Sequence, residues 1–484
     1  MPFQSPRGTR DFYPEEMAVR RHIEAAWRSA SIDFGFDEID GPTFEHLELY
    51  TVKSGDGIVS ELFSFTRHGG ESTYALRPEF TPTLARMIAA KGGPGGGTLP
   101  TPTKWFTMPS FFRAERPQRG RLREFLQWNV DLVGLDTPEA DAEVIAVALT
   151  ALQRLGLTSK DVQVRLSHRG VIAEMAKAVG FDDECQTAAL TMLDKWDRMD
   201  DAKRSAACVA ARLDPAKVQA LHQKLAAESV RVTGRDIAES QQVDLDGGRR
   251  SVADMVAKQS LDKPMVSEPP VLPGDPGSRP LDDLVRVEIA LTDAGFGDWI
   301  TRDFGIVRGL AYYTGTVFEI HETGGAERAV AGGGRYDGLV ELFGGPPTPA
   351  FGFGMGDVVL GLLLKDRGLL GGDGGTASLM PTPDAFIIST GGAADAELAP
   401  LVAKLRAANL HVRHSYRATR NVGKLLGEAA KSRARCAVIL GAELADGMVG
   451  FKDLASGEQR TVEVGEEAKE LEGAIRSLRL GDPG

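Results

Sequence analysis

The chemistry-bearing residues of this chain fall into four groups. The first is Phe112-Arg-Ala-Glu-Arg-Pro-Gln-Arg-Gly-Arg-Leu-Arg-Glu124, five arginines (113, 116, 119, 121 and 123) against two acids. Guanidinium groups carry rigid forks of donors that match phosphate oxygens. Arginines on facing strands of an antiparallel pair could clamp a triphosphate; the same run also reads as a solvated, charged loop. The second group is Ile306-Val-Arg-Gly-Leu-Ala-Tyr-Tyr-Thr-Gly-Thr-Val-Phe-Glu319. If buried, Arg308 needs a negative partner, and Tyr312 and Tyr313 offer aromatic walls with hydroxyl tips. Its plain alternative is an edge strand with a snorkelling arginine. The third, Ala331-Gly-Gly-Gly-Arg-Tyr-Asp337, permits close backbone approach to a ligand or simply a tight turn. The fourth is a stretch of nine Lys/Arg and one acid, Glu428, between Lys404 and Arg435. Its balance, 9 − 1 = +8, suits a phosphate-facing patch or a solvated helix face.

The surrounding chain bounds what these groups can do. Its 484 residues suffice for two to four domains. The net charge, 56 − 68 = −12, excludes a protein that is basic all over but not one that binds nucleic acid through a local patch. The cysteines are Cys185, Cys208 and Cys436, with no CxxC pair, which argues against a cysteine zinc site or a disulfide framework. No run of about 18 apolar residues suggests a transmembrane helix. The opening residues lack the apolar region of a signal peptide, so a reducing cytoplasm is expected.

The elements that must position the four groups follow from periodicity and punctuation. Pro14-Glu-Glu-Met opens a helix over 14–31, followed by a strand-like stretch to Pro42. Tyr74–Thr81 precedes a helix from Pro82 to Lys91. Residues 104–113 and 125–134 read as two strands joined by a polar loop too long for a tight hairpin turn, and 138–155 as an amphipathic helix. Residues 171–285 form an Ala-rich helical insertion with a Pro-rich exit, and strand signals return at 302–320 and 327–334. A Gly/Pro linker covers 366–383. After it, strands (385–390, 411–416, 436–440) alternate with helices (394–408, 420–432). The chain closes with a hairpin of Met448–Leu454 and Glu458–Val464, which together predict a small α/β domain.

Taken together, these segments resemble the histidyl-tRNA synthetases, a family of class II aminoacyl-tRNA synthetases. Arg7-Gly-Thr-Arg-Asp-Phe-Tyr-Pro14 is similar to the family's N-terminal signature, and the helix and strand ending at Pro42 to motif 1, the dimer-forming element. Phe112–Asp131 resembles motif 2, Arg308-Gly-Leu-Ala-Tyr-Tyr313 the histidine-specific motif, and the region after 384 the anticodon-binding domain.

The resemblance implies an α+β fold: an antiparallel-sheet catalytic domain (1–170 and 286–365) interrupted by the insertion (171–285), then the linker and an anticodon-binding domain (384–484). It implies a homodimer that joins L-histidine and ATP, with Mg²⁺ carried by the nucleotide and no dedicated metal site, into histidyl-adenylate. The histidyl group then passes to the 3′ end of tRNA(His). By the same resemblance Glu79 and Thr81 hold the amino acid, Glu79 through its α-ammonium. Arg113 contacts α-phosphate and carboxylate, Glu115 and Arg121 contact ATP, and Phe125 stacks on adenine. Gln127 and Asp131 line the histidine pocket with Tyr312, Tyr313 and Tyr336. Arg308 stabilises the charge that develops on the α-phosphate. Arg413, Arg417, Arg420 and Lys424 form the tRNA-facing patch.

Three positions depart from the family's pattern. Asp131 stands where Glu is usual, Ala311 where Asp is usual, and Val359 where motif 3 carries an ATP-contacting arginine. The Gly-Asp-x-Val spelling at 356–359 resembles a plastid-type and bacterial branch. The lost arginine favours a different reading, a non-catalytic regulatory subunit of ATP phosphoribosyltransferase. The arginine-rich motif 2 and the basic C-terminal domain favour the ligase.

Overall fold

In the computed structural model, residues 3–54, 56–92, 99–196, 199–229, 279–306, 313–324, 329–371, 375–465 and 467–479 are described. Arg308, Ala311 and Tyr312 lie outside these residues, as does 230–278 of the expected insertion. Two compact units divide at Leu370/Gly371.

Alternation along one strand organises the first unit. In Glu124–Val133, Leu126, Trp128, Val130 and Leu132 are buried, while Phe125, Gln127, Asn129 and Asp131 occupy the opposite face. The strands around it are β1 (Asp37–Glu38), β2 (Phe44–His46), β3 (Ser64–Thr66), β4 (Thr73–Leu76), β5 (Thr103–Thr107), β6 (Ser110–Phe112), β7 (Glu124–Val133), β8 (Val162–His168), β9 (Ile300–Arg302), β10 (Thr316–Glu322), β11 (Ala331–Arg335) and β12 (Ala350–Gly356). The main sheet runs β1-β5-β7-β12-β11-β10-β8-β9, with β6 on the first part of β7, and β2-β4-β3 form a separate small sheet. Neighbours in the main sheet are antiparallel except β1/β5 and β8/β9.

Helices Pro14–Asp33, Pro138–Arg154 and Pro280–Asp293 contribute to the core that buries the apolar face of β7. The second starts where the sequence says it should: Thr137 caps it, accepting from the Ala140 amide at 3.3 Å, ahead of Pro138 and the acids Glu139 and Asp141. Trp27 of the first helix stacks on Trp128 at 5.7 Å, and both are fully buried. Each such residue contributes about 1.5–3 kcal/mol through burial. The apolar face of helix Pro14–Asp33 (Ile23, Ala26, Trp27, Ala30) is therefore covered within the chain itself.

Helices Arg169–Ala178, Asp183–Trp196, Asp201–Ala210 and Pro215–Glu228 follow β8. Their buried residues, among them Ala176, Leu193, Cys208 and Leu221, belong to the same core as the sheet. The boundary expected at 285 falls inside helix Pro280–Asp293.

The second unit has strands β13 (Ala385–Ser389), β14 (Val412–His414), β15 (Cys436–Leu440), β16 (Met448–Asp453) and β17 (Gln459–Glu463) in the order β14-β13-β15-β16-β17. The first three are parallel and the last two antiparallel. Strand β13 is apolar from Ala385 to Ile388 because both faces are covered. Ala385 and Ile387 pack with helices Ala393–Ala407 and Lys469–Ser477, and Phe386 and Ile388 with helix Val422–Lys431.

Candidate active site

The open face of β7 acts as a ruler. Same-face residues on a strand lie roughly 6.6–6.8 Å apart, so Phe125, Gln127, Asn129 and Asp131 mark about 20 Å of floor. Two cavities adjoin along it. One, of about 170 Å³, is lined by Glu79, Thr81, Asn129, Asp131, Tyr313 and Tyr336; the other, of about 250 Å³, by Arg121, Leu122, Phe125, Val330, Val358 and Val359. Arg113, Gln127, Gly332 and Gly354 line both, so they mark the junction.

The floor stays low because neighbouring strands lack side chains there. Gly352 and Gly354 of β12 share this face, and a Cβ on them would overlap the carboxylate of Asp131 and the amide of Gln127 respectively. Glycine is required for close approach here, not for backbone freedom.

At the end of the smaller cavity, the Tyr336 hydroxyl donates to Asp131 Oδ1. Burial pushes the Asp131 carboxyl up to about 7, and the Tyr336 hydrogen bond offsets only part of this. Tyr336 is in turn held by its neighbour Arg335, which is buried in ion pairs with Asp141 and Asp337. Asp337 also accepts from the Thr314 hydroxyl at 2.6 Å, fixing the segment that carries Tyr313. On the cavity's other side, Glu79 and Thr81 sit where β4 leads into helix Thr81–Gly92. Buried Arg77 anchors that bend through Asp40 at 2.8 Å and the Ser110 carbonyl at 3.0 Å.

At the junction, Arg113 donates from Nε to the Pro78 carbonyl at 3.1 Å, and its guanidinium lies 5.2 Å from the centroid of the Phe125 ring. The loop beyond it is more ordered than its length suggests. The Arg113 amide donates to the Arg123 carbonyl, and Gln118 and Arg121 exchange backbone hydrogen bonds of 3.0 and 2.9 Å around a turn with Gly120 at φ +73°. The hairpin thus runs on past β6 and β7 and does close in a tight turn, because glycine supplies the positive φ there. Its five arginines divide. Arg113 and Arg121 face the cavities, with Arg121 paired to Glu115. Arg123 turns to the backbone carbonyl of Glu115 at 3.1 Å, Arg119 approaches Asp366 at 3.4 Å, and Arg116 is exposed.

Arg413, Arg417, Arg420 and Lys424 belong to the second unit and are all exposed, running from β14 into the first turn of helix Val422–Lys431. Arg420 pairs with Asp395 at 2.7 Å and Arg417 with Glu428 at 3.5 Å. Tyr416, 88% exposed, packs its ring 4.4 Å from that of His414, the last residue of β14. The sequence reading passed over Tyr416 and Asn129. For Asn129 the signal was present, since it lies midway between Gln127 and Asp131 with period 2.

Comparison with known proteins identifies the family. A sequence profile of the histidyl-tRNA synthetase family matches residues 8–257 and 205–356, and an anticodon-binding-domain profile matches 384–473. The chain belongs to the histidyl-tRNA synthetase family. It is 38% identical to a histidine–tRNA ligase of Opitutus terrae, with 94% of both chains covered. It is 38% identical to one of Halobacterium salinarum, with 95% of both covered. It is 32% identical to the chloroplastic/mitochondrial histidine–tRNA ligase of Arabidopsis thaliana, across 95% of this chain and 85% of that one. Its fold is similar to that of the histidyl-tRNA synthetase of Nostoc sp. PCC 7120, with a TM-score of 0.71, 21% identity and 99% of both chains covered. The class II synthetase architecture expected from the sequence, a mixed sheet with helices plus a C-terminal α/β domain, is the architecture present.

Within this family the atypical motif 3 acquires a structural meaning. Val359 is buried and, with Val358, forms an apolar wall of the larger cavity. Asp357 is buried and faces the protein, accepting from the Leu126 amide at 2.9 Å and from Arg10 at 2.7 Å. It thereby joins the N-terminal segment, motif 2 and the start of helix Asp357–Asp366. The Gly8 carbonyl completes this joint by accepting from the Arg123 amide at 2.8 Å.

Proposed function

We propose that this chain is a histidine–tRNA ligase, activating L-histidine with ATP and transferring it to the 3′ end of tRNA(His). One observation carries the reading: two polar-floored cavities meet at Arg113 and Gln127, so a small amino acid and a nucleotide can lie end to end on β7. In the first step a carboxylate oxygen attacks the α-phosphorus in line and pyrophosphate leaves. The barriers are charge repulsion and alignment, which a fixed cation at the junction and a rigid floor both lower. Neither an acid–base pair nor a covalent nucleophile is needed.

In this reading Asp131 and Tyr336 receive the imidazole, with Tyr313 beside it, and Glu79 and Thr81 take the α-ammonium end. Gln127 orients the substrate where the cavities join. Arg113 bridges carboxylate and α-phosphate, Phe125 supports the adenine, and Glu115 and Arg121 define the loop over it. Mg²⁺ enters as part of the nucleotide substrate. Arg308 and Tyr312 keep the roles that the family resemblance gives them, Arg308 on the developing phosphate charge. In the second unit, the exposed Arg413, Arg417, Arg420 and Lys424 supply phosphate contacts, and exposed Tyr416 offers a stacking platform for an unpaired base. We also propose a homodimer. Its support is the aromatic face of the small sheet, where Phe44, Phe65 and Tyr74 cluster with ring centroids 5.6–5.9 Å apart and both phenylalanines are exposed.

The deciding experiment is histidine-dependent ATP–pyrophosphate exchange on the purified chain. Exchange with histidine alone among the standard amino acids is expected. No exchange with any of them would leave the regulatory-subunit reading ahead, although the anticodon-binding match over 384–473 and the cavity-facing Arg113 and Arg121 weigh against it.

A further inference from the structure

The first half of β7 carries Phe125 and Gln127, yet the sheet beside it ends early. Gln127 donates its amide to the Pro109 carbonyl on the β6 side at 3.2 Å. By alternation the amides of Glu124 and Leu126 point the other way, towards β12. Strand β12 reaches only to Gly356, opposite Gln127, and then turns into helix Asp357–Asp366. Among the described residues no strand continues that ladder towards Glu124, and a buried amide left without an acceptor is costly. Two groups from outside the sheet take the place of the missing strand. Asp357 accepts from the buried Leu126 amide through its side chain, at 2.9 Å. The Gly8 carbonyl accepts from the Glu124 amide at 3.3 Å and from the Arg123 amide at 2.8 Å. Gly8 has φ +90°, and a Cβ there would overlap Pro117, so only glycine lets the N-terminal segment pass this close.

Asp357 also stands between two walls of the larger cavity. Its chain neighbours Val358 and Val359 form the apolar wall, and its partner Leu126 lies between Phe125 and Gln127, which form the floor. One carboxylate therefore ties wall to floor. Its second oxygen accepts from Arg10 at 2.7 Å. Arg10 is anchored in turn: its guanidinium lies 4.8 Å from the centroid of the Phe12 ring, and that of Arg20, on helix Pro14–Asp33, lies 5.2 Å from the same ring. With Val359 in place of the motif 3 arginine, a flat base between floor and wall is held by packing, which depends steeply on their spacing. Neither Arg10 nor Asp357 lines the two cavities. We infer that Arg10 and Asp357 are positioning residues for the nucleotide, setting the distance between Phe125 and the Val358–Val359 wall without touching the ligand. The inference rests on the ligase reading above and assigns the N-terminal segment a role in its nucleotide half.

The test measures pyrophosphate exchange for wild type, Arg10→Ala, Arg10→Lys, Asp357→Asn and the double variant Arg10→Ala/Asp357→Asn, with ATP and histidine varied separately. Asparagine still accepts from the Leu126 amide and gives up only the ion pair, so this variant keeps the ladder satisfied. Arg10→Ala and Asp357→Asn should each raise the KM for ATP about tenfold and leave the KM for histidine unchanged. The double variant should be no worse than either single one, because both remove the same pair. Arg10→Lys, which keeps the charge, should recover much of the loss. An unchanged KM for ATP in both single variants would overturn the inference. So would a parallel rise in both KM values, which would mark general loosening, or additive losses in the double variant. Calorimetric titration with ATP alone repeats the comparison without turnover. Weaker ATP binding by Arg10→Ala than by wild type is expected, and equal binding would overturn the inference. A wild-type chain that binds ATP but shows no exchange would instead sink the ligase reading.

Discussion

Asp131→Asn should stabilise the empty protein while weakening the site. Asp131 is buried, and burial raises its carboxyl from an ordinary 3.8 to about 7. Between those values the unfolded chain has released the proton and the folded chain retains it. The folded state then binds more protons, so stability falls as pH rises through this window and levels off above about 7. At roughly 1.4 kcal/mol per pH unit, the interval from 3.8 to about 7 amounts to about 4 kcal/mol lost by pH 8. Asparagine keeps the shape and still accepts from the Tyr336 hydroxyl, but it cannot ionise. The variant should therefore melt above wild type at pH 8, with a margin that shrinks towards pH 5, as followed by differential scanning fluorimetry across that range. In exchange assays its histidine KM should rise about 10–150-fold, the worth of a hydrogen bond to a charged acceptor of roughly 1.5–3 kcal/mol. Equal margins at pH 5 and pH 8, or no gain at pH 8, would refute the argument that ionising Asp131 burdens this fold.

Gly354→Ala should lower kcat for exchange and raise KM for histidine, because the added methyl displaces the Gln127 amide from the junction; wild-type kinetics would show that Gln127 is free to move without consequence. Deleting residues 371–484 removes a unit with its own core. It should abolish charging of tRNA(His) at ordinary tRNA concentrations yet spare histidine-dependent exchange, and full charging by the truncated protein would withdraw the tRNA role of the basic cluster. Light scattering at micromolar concentration should report a dimer for wild type and a shift towards monomer for Phe65→Glu, since that side chain is 43% exposed in the aromatic patch; a wild-type monomer would remove that patch's assignment.

Local sequence determined the elements of this protein and the sidedness of its central strand. Thr137, Pro138 and two acids start a helix wherever they stand, and alternation from Glu124 to Val133 separates an apolar face from a polar one, because caps and pleats act over a few residues. The order of motifs, from Arg7-Gly-Thr-Arg to the basic C-terminal domain, disclosed the family. Tertiary structure decided what those faces meet. The register of β12 against β7 brings Gly352 opposite Asp131, and no local pattern in either strand specifies that pairing. Trp27 stacking on Trp128 settled what the first helix packs against. Arg10 reaching Asp357 gave the unusual motif 3 a structural partner from the far end of the chain. That Asn129 Oδ1 finds no partner among the described residues is likewise a property of its surroundings, since a hydrogen-bonding side chain reads the same in sequence whether or not the fold supplies a partner.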